Sequence, residues 1–382
     1  MPSVRGKQQQ AAPDVPVGGI NTAVIDGVQQ VSDTLLSKIT VKIDREGLYP
    51  AEVLRTLGEG GVFRQHLASQ NILGQTDLVT AVHAMAVISK ECLSTGFMTW
   101  CQDVLGWYIE NSENTHLQQT ILPGVARAES LGGTALSNPM KYFSGIEPLQ
   151  LQATPVGGGF IINGTLPWVS NLGPDHYFGA IARTDDSSAH EIMFLMSCAG
   201  EGFKLLRNAE FTAMEGTGTF ACQFKDVFIP ESQLLADPVQ PFLKKIKAGF
   251  ILLQGGMAMG LIESCVALMR DVEPLLGHVN CFLEDRPDEI EADYQDLGGR
   301  LTGLLADPYN DSDEFMQDVI QTRLEASELT LRAAHSAMLH TGARGYLVGA
   351  PAQRKLREAY FVAIVTPAIK HLRKELDRML EN

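Results

Sequence analysis

The chain changes texture twice, and the order of those changes restricts its fold more than any other feature. From about residue 22 to 124 apolar residues recur at helical spacing. Val24, Val28, Val31, Leu35, Leu36 and Ile39 fall mostly three or four apart, on one helix face. Pro50 predicts a helix start running through Leu57, ended by Gly60 and Gly61. Residues 78–105 read as one long apolar helix. From about 131 to 230, Gly and Thr become frequent and short β-rich runs take over. Gly157, Gly158 and Gly159 predict the turn of a hairpin between 149–156 and 160–163. Residues 177–182, 191–196 and 219–229 read as further strands, the last stopped by Pro230. Strands this closely spaced predict a compact antiparallel sheet or barrel. Beyond residue 240 helical spacing returns, with long candidates at 246–272, 312–340 and 351–380. The acid-dense segment 284–296 reads as a solvated loop and helix start. The expected fold is therefore α+β and multidomain. A lead-in (1–20) precedes an N-terminal helical domain (21–130), a central β domain (131–236) and a C-terminal helical bundle (237–382).

At 382 residues, with 45% hydrophobic and 20% charged, the chain can bury a sizeable core. A formal net charge of -15 opposes binding to nucleic acid or anionic membranes. The six cysteines form no CxxC pair, and His116, His335 and His340 are not spaced as metal ligands, so no metal site is expected. The thiols read as reduced and mostly buried, which points to the cytoplasm. Residues 1–16 are polar, with three consecutive Gln, and read as a disordered lead-in rather than a signal peptide. Residues 249–266 are apolar but interrupted by Gln254 and Glu263, a buried helix rather than a membrane span.

Five strings, in order, carry a resemblance. They are Asp44-Arg45-Glu46 with Pro50, Leu54, Leu57 and Gly60-Gly61-Val62; Thr134-Ala135-Leu136-Ser137-Asn138-Pro139; Asn163-Gly164-Thr165-Leu166-Pro167-Trp168-Val169-Ser170-Asn171; Glu215-Gly216-Thr217-Gly218-Thr219 with 224–230; and Gly342-Ala343-Arg344-Gly345-Tyr346 with Pro351, Arg354 and Arg357-Glu358-Ala359. Together they resemble the acyl-CoA dehydrogenase superfamily. The resemblance implies a helical N-terminal domain, a central β domain, a C-terminal four-helix bundle, a bound flavin (usually FAD) and a homodimer or homotetramer. It also implies cofactor-binding roles. Ser137 and Ser170 would hydrogen-bond the polar edge of the flavin, and Trp168, beside Val169, would pack on its ring. Gly342 and Arg344 would meet the dinucleotide end. Without it, Trp168 reads as a sheet-core aromatic, the serines as turn residues and Gly342 as a helix C-cap.

Two departures stand against this pattern. Dehydrogenation next to a thioester needs a carboxylate over the α-carbon. The usual Glu position falls on Thr366 in Val365-Thr366-Pro367-Ala368, and the alternative one near Phe250; neither residue is acidic. Glu263 lies several turns further along, which leaves Glu215 as the substitute acid. The arginine string that meets the FAD diphosphate is replaced by Gly277-His278-Val279-Asn280-Cys281-Phe282, which admits FMN or no flavin. Three functions follow: a flavin-dependent oxidoreductase acting on an acyl thioester such as acyl-CoA, a flavin-dependent monooxygenase, or a non-catalytic scaffold. The sequence names no electron acceptor.

Overall fold

The structure, a computed structural model, describes residues 19–185, 190–206 and 209–381. The expected lead-in lies, except for its last two residues, outside them. The first helical layer is α1 (Thr22–Val31), a single π turn at Ser32–Leu36 and α2 (Ser37–Glu46), which run on as one rod. Asn21 caps its start by accepting a hydrogen bond from the Val24 amide. Pro50 precedes α3 (Ala51–Glu59), and Gly60 with Gly61 ends it. The single helix expected over 78–105 is two, α4 (Leu78–Glu91) and α5 (Leu93–Asn111). Cys92 breaks them apart with an extended backbone, φ -144 and ψ 111. Short helices α6 (Thr115–Thr120) and α7 (Leu122–Ala126) lead to the sheet.

The sheet holds β1 (Gly132–Thr134), β2 (Leu151–Val156), β3 (Gly159–Val169), β4 (Tyr177–Thr184), β5 (Glu191–Ser197), β6 (Phe203–Leu206), β7 (Phe220–Pro230) and β8 (Leu234–Ala236). Helix α8 (Ser137–Phe143) stands between β1 and β2. Strand order is β6-β7-β3-β2-β4-β5-β8, with β1 beside β4. The expected hairpin is β2–β3. The sheet is not wholly antiparallel, however. After β3 the chain crosses over, so β4 runs parallel to β2 and, further back, to β1. Those two strands share one edge of β4, which a chain of consecutive hairpins could not produce.

The C-terminal helices are α9 (Gln240–Leu252), α10 (Gly255–Asn280), α11 (Pro287–Leu305), α12 (Asp313–Thr341), α13 (Pro351–Ile364) and α14 (Ile369–Glu381). The helix expected over 246–272 is thus broken at Leu253–Gln254, and the one over 351–380 at the Pro367 turn. Gln240–Asn280 is long and apolar enough to cross a membrane by composition, yet 78% of its apolar window is buried inside the structure. Gly256 and Gly260 explain how: a Cβ on them would lie 2.6 Å from the Val82 carbonyl and 2.1 Å from that of Ala86. Bare backbone at these two positions lets α10 lie directly on α4. The main core joins α4, α5, α9, α10 and α12, while the sheet packs a second core on its own inner face.

Candidate functional site

The break between α13 and α14 meets the start of α8. There Thr366, 8% exposed, shares a 2.9 Å hydrogen bond with Ser137, hydroxyl to hydroxyl. A buried relay holds this turn from behind. The Gln254 amide donates to the Thr366 carbonyl at 2.9 Å and accepts from Arg323 Nε at 2.7 Å. Arg323 also donates to the Val362 carbonyl at 2.8 Å, one of the last in α13 and so without a helical partner. Burial pulls the Arg323 guanidinium down to about 10. Sequence reasoning noted Gln254 only as an interruption of an apolar run and missed Arg323, which stands among other charged residues of α12 and gave no signal of its own.

At the end of β3, Val169 is buried while Trp168 turns outward, 59% exposed. Trp168 is therefore not a sheet-core aromatic. Ser170 Oγ lies 2.7 Å from Thr219 Oγ1, which lies 2.8 Å from Thr217 Oγ1, a row of hydroxyls at the sheet end. An open aromatic face next to half-buried hydroxyls is a donor set suited to the ring end of a flavin. The dinucleotide end is less provided for. Gly342, at φ 59, closes α12, and Arg344 is exposed, its guanidinium without a hydrogen bond or ion pair among the described residues. Gly342 stands about 28 Å along α12 from Arg323, at 1.5 Å per residue, and Arg344 lies just beyond the helix end. The chain itself therefore does not bring them to Ser137. Near the end of α10, Arg270 is tied to Glu291 and Asp288, and Arg286 to Glu273, so neither is open to a diphosphate.

A cavity of about 310 Å³ opens between α8, α9 and α14. Leu136, Met140, Phe250 and Pro367 form its apolar part, and Lys247, His371, Glu375 and Arg378 its polar side. Phe250 forms a floor backed by other rings: it meets Trp100 edge-on at 5.1 Å, Trp100 stacks on Phe97 at 5.7 Å, and Phe97 meets Phe361 at 4.5 Å. Glu215 does not line this cavity. Its carboxylate accepts a hydrogen bond from the Phe211 amide and closes a turn. Among the described residues no cluster of three His, Cys, Asp or Glu side chains is placed to share a metal ion.

A helical layer, a central mixed sheet and a closing helical bundle thus follow one another along the chain. Residues 21–129 match the family model described as acyl-CoA dehydrogenase, N-terminal domain. The short-chain specific acyl-CoA dehydrogenase of rat mitochondria is 24% identical over 345 residues, 86% of this chain and 82% of that protein. A probable acyl-CoA dehydrogenase of Bacillus subtilis is 23% identical over 84% of this chain and 87% of its own length. Among solved structures, butyryl-CoA dehydrogenase from Megasphaera elsdenii superposes with a TM-score of 0.84 at 15% identity, covering 98% of this chain and 100% of that one. Dibenzothiophene monooxygenase from Paenibacillus gives 0.79 at 15% identity, covering 94% and 96%. Residues 21–129 thus carry the acyl-CoA dehydrogenase N-terminal domain, and over most of its length the chain is similar to acyl-CoA dehydrogenases and shares their fold.

Proposed function

We propose that this protein is a flavin-dependent oxidoreductase, with FAD as the expected flavin, that oxidises a short acyl thioester such as an acyl-CoA. The observation that carries this is the cavity. Its apolar part ends at Leu136 and Pro367, next to the Ser137–Thr366 contact, and its other side carries Lys247 and Arg378. Apolar walls suit an acyl chain, whereas Lys247 and Arg378 are both paired with Glu375. Ser137, Trp168, Ser170 and Thr219 would hold the flavin ring, and Arg344 is the open cation for the dinucleotide end, with the neighbouring subunit of a homo-oligomer. Bound flavin would supply the two-electron acceptor. The test is an absorption spectrum after reconstitution with FAD or FMN, then anaerobic addition of acyl-CoA esters. Flavin absorption that bleaches with a short acyl-CoA is expected; failure to retain either flavin overturns the proposal.

One observation favours a second reading. Thr366 and Phe250 leave both usual base positions without a carboxylate. A monooxygenase, reacting through reduced flavin and oxygen, needs none. It would leave the oxidised flavin unbleached by thioesters and would consume oxygen only once the flavin is reduced.

Phe250 at the cavity floor makes acyl length testable. Phe250→Leu is expected to shift preference to chains one or two carbons longer, since a methylene in an apolar pocket is worth roughly 1–3 kcal/mol. The rate of bleaching across a chain-length series measures this; an unchanged profile would mean that the acyl group lies elsewhere.

A further inference from the structure

Two Lys or Arg side chains are buried among the described residues, Lys355 and Arg323. Lys355 faces the Glu358 carboxylate at 3.1 Å. Arg323, 4% exposed, has no carboxylate partner among the described residues and is held by neutral groups alone. A charge kept in a core without a counter-charge is costly, and that cost falls when an anion forms near it. We propose that Arg323, acting through Gln254 and the Thr366 turn, supplies the positive potential that stabilises the negative charge of a reduced flavin ring held at Ser137. This deepens the function proposed above and rests on its placement of the flavin.

The guanidinium is satisfied in its hydrogen bonds but not in its charge. Nε donates to Gln254 Oε1 at 2.7 Å, Nη1 to Ser327 Oγ, and Nη2 to the Val362 carbonyl at 2.8 Å. That carbonyl belongs to the last turn of α13, whose negative end offsets only about half a unit of charge. Burial lowers Arg323 to about 10, so it still carries its proton at neutral pH. Gln254, wholly buried, passes the polarity on, because hydrogen bonds in series polarise one another. Its Nε2 donates to the Thr366 carbonyl at 2.9 Å, and the Thr366 hydroxyl meets that of Ser137 at 2.9 Å. The charge thus stands behind Thr366 by two hydrogen bonds and behind Ser137 by three.

Capping α13 does not by itself call for a cation. The Val362 and Thr366 carbonyls need N–H donors, and a neutral amide supplies those, as Gln254 does to Thr366. Arg357, also on α13, shows the ordinary arrangement: its guanidinium is matched by the Asp44 carboxylate at 2.6 Å. Only the charge on Arg323 is left to act on whatever lies beyond Ser137, in a core where water does not screen it.

The charge balance of the proposed oxidation defines the anion. The β-carbon–hydrogen bond of the thioester breaks and its hydride, two electrons and one proton, enters the neutral oxidised ring. The α-proton is released to water, and the electron pair it leaves becomes the carbon–carbon double bond. The ring is left with one negative charge, which a second proton would cancel. A cation nearby favours the charged form instead. Arg323 gains and loses no proton, so it is a positioning residue.

The test is dithionite reduction of flavin-loaded protein against reference dyes, together with the affinity for sulfite, which adds to the oxidised ring and leaves it negatively charged. A unit charge acting over roughly 10 Å at an effective dielectric of about 20 changes an equilibrium by about tenfold. Arg323→Met is therefore expected to bind sulfite about tenfold more weakly and to lower the midpoint potential by about 30 mV, the same factor for a two-electron couple. The wild-type midpoint is expected to fall by about 30 mV per pH unit, one proton per two electrons, and to steepen at low pH in the variant as the second proton is taken up. Gln254→Glu sets a carboxylate against Arg323 without opening a cavity, so it is expected to act in the same direction even where Arg323→Met does not fold. Arg323→Lys keeps the charge and is expected to stay near wild type in both readings. Unchanged sulfite affinity and midpoint in Arg323→Met and Gln254→Glu, with wild type still bleached by butyryl-CoA, overturn the role of Arg323 and leave the oxidoreductase reading standing. Arg323→Lys behaving as Arg323→Met overturns it too, since hydrogen bonding and not charge would then be at work. Wild-type protein that retains neither FAD nor FMN overturns both.

Discussion

Glu358→Ala is expected to destabilise the protein by about 3–5 kcal/mol, the cost of leaving one partner of a buried ion pair uncompensated. Lys355 and Glu358 are 1% and 2% exposed, with Nζ 3.1 Å from the carboxylate. Their position follows from the chain break at Cys92. That break ends α4 and begins α5, which leaves carbonyls unpaired on one side and amides on the other. Lys355 donates to the Ser89 and Glu91 carbonyls at 3.2 and 3.3 Å, while Glu358 accepts from the Leu93 amide at 3.4 Å. A cation therefore meets the negative end of one helix and an anion the positive end of the next, the favourable sense for both dipoles. Removing the carboxylate strands a buried ammonium. Chemical denaturation of the single variant and of Lys355→Met/Glu358→Leu separates charge from packing. The double variant should recover most of the loss, because well-packed apolar replacements of buried pairs are often neutral. A single variant within 1 kcal/mol of wild type, on the scale of an exposed pair, would show that water reaches Lys355.

The same pair shows what the sequence could and could not reveal. The strings that marked the family were legible because they are local, and several prove to clamp the architecture. Arg357, from Arg357-Glu358-Ala359, grips Asp44, from Asp44-Arg45-Glu46, through two hydrogen bonds of 2.8 and 2.6 Å. The texture changes located the helices and most strands because period 3.6 and period 2 are properties of neighbouring residues. Breaks inside apolar runs were less visible. Nothing in residues 78–105 distinguishes a helix that bends at Cys92 from one that continues, because the groups that stabilise the break lie on α13. The parallel pairing of β4 with β2 was hidden for a related reason: it depends on where a crossover sends the chain, not on any strand's own pattern. In the candidate site, Thr366 could be aligned from the Arg357-Glu358-Ala359 string. Its support by Gln254 and Arg323, residues 69 apart in sequence, could not.

Asp103→Asn is expected to gain stability over wild type by about 1.4 kcal/mol for each pH unit above about 4, for as long as wild-type Asp103 keeps its proton when folded. Asp103 and His66 are wholly buried, with Oδ1 3.5 Å from Nδ1. The His66 Nε2–H donates to the Asp103 carbonyl at 2.8 Å, so Nδ1 carries the lone pair. Neither oxygen of the Asp103 carboxyl has a hydrogen-bond partner. Burial pushes the Asp103 carboxyl well above the usual range and pulls His66 down to about 4. The folded pair thus holds one proton, on Asp103 and facing Nδ1. The two shifts act in opposite directions. A raised Asp103 contributes stability that is complete below its unfolded value and is lost as pH rises from about 4 towards its folded value. A lowered His66 contributes stability that is complete above its unfolded value of about 6.5 and is lost as pH falls towards 4. Between these limits the terms cancel in wild type, and above about 6.5 only the Asp103 loss remains. Asparagine removes the Asp103 term and leaves His66, so the variant should hold a flat profile above about 6.5 where wild type declines. Denaturant unfolding of both proteins from pH 5 to 8 measures the difference. Parallel profiles would mean that Asp103 is ionised in the folded state, and that this buried pair is an ion pair rather than a shared proton.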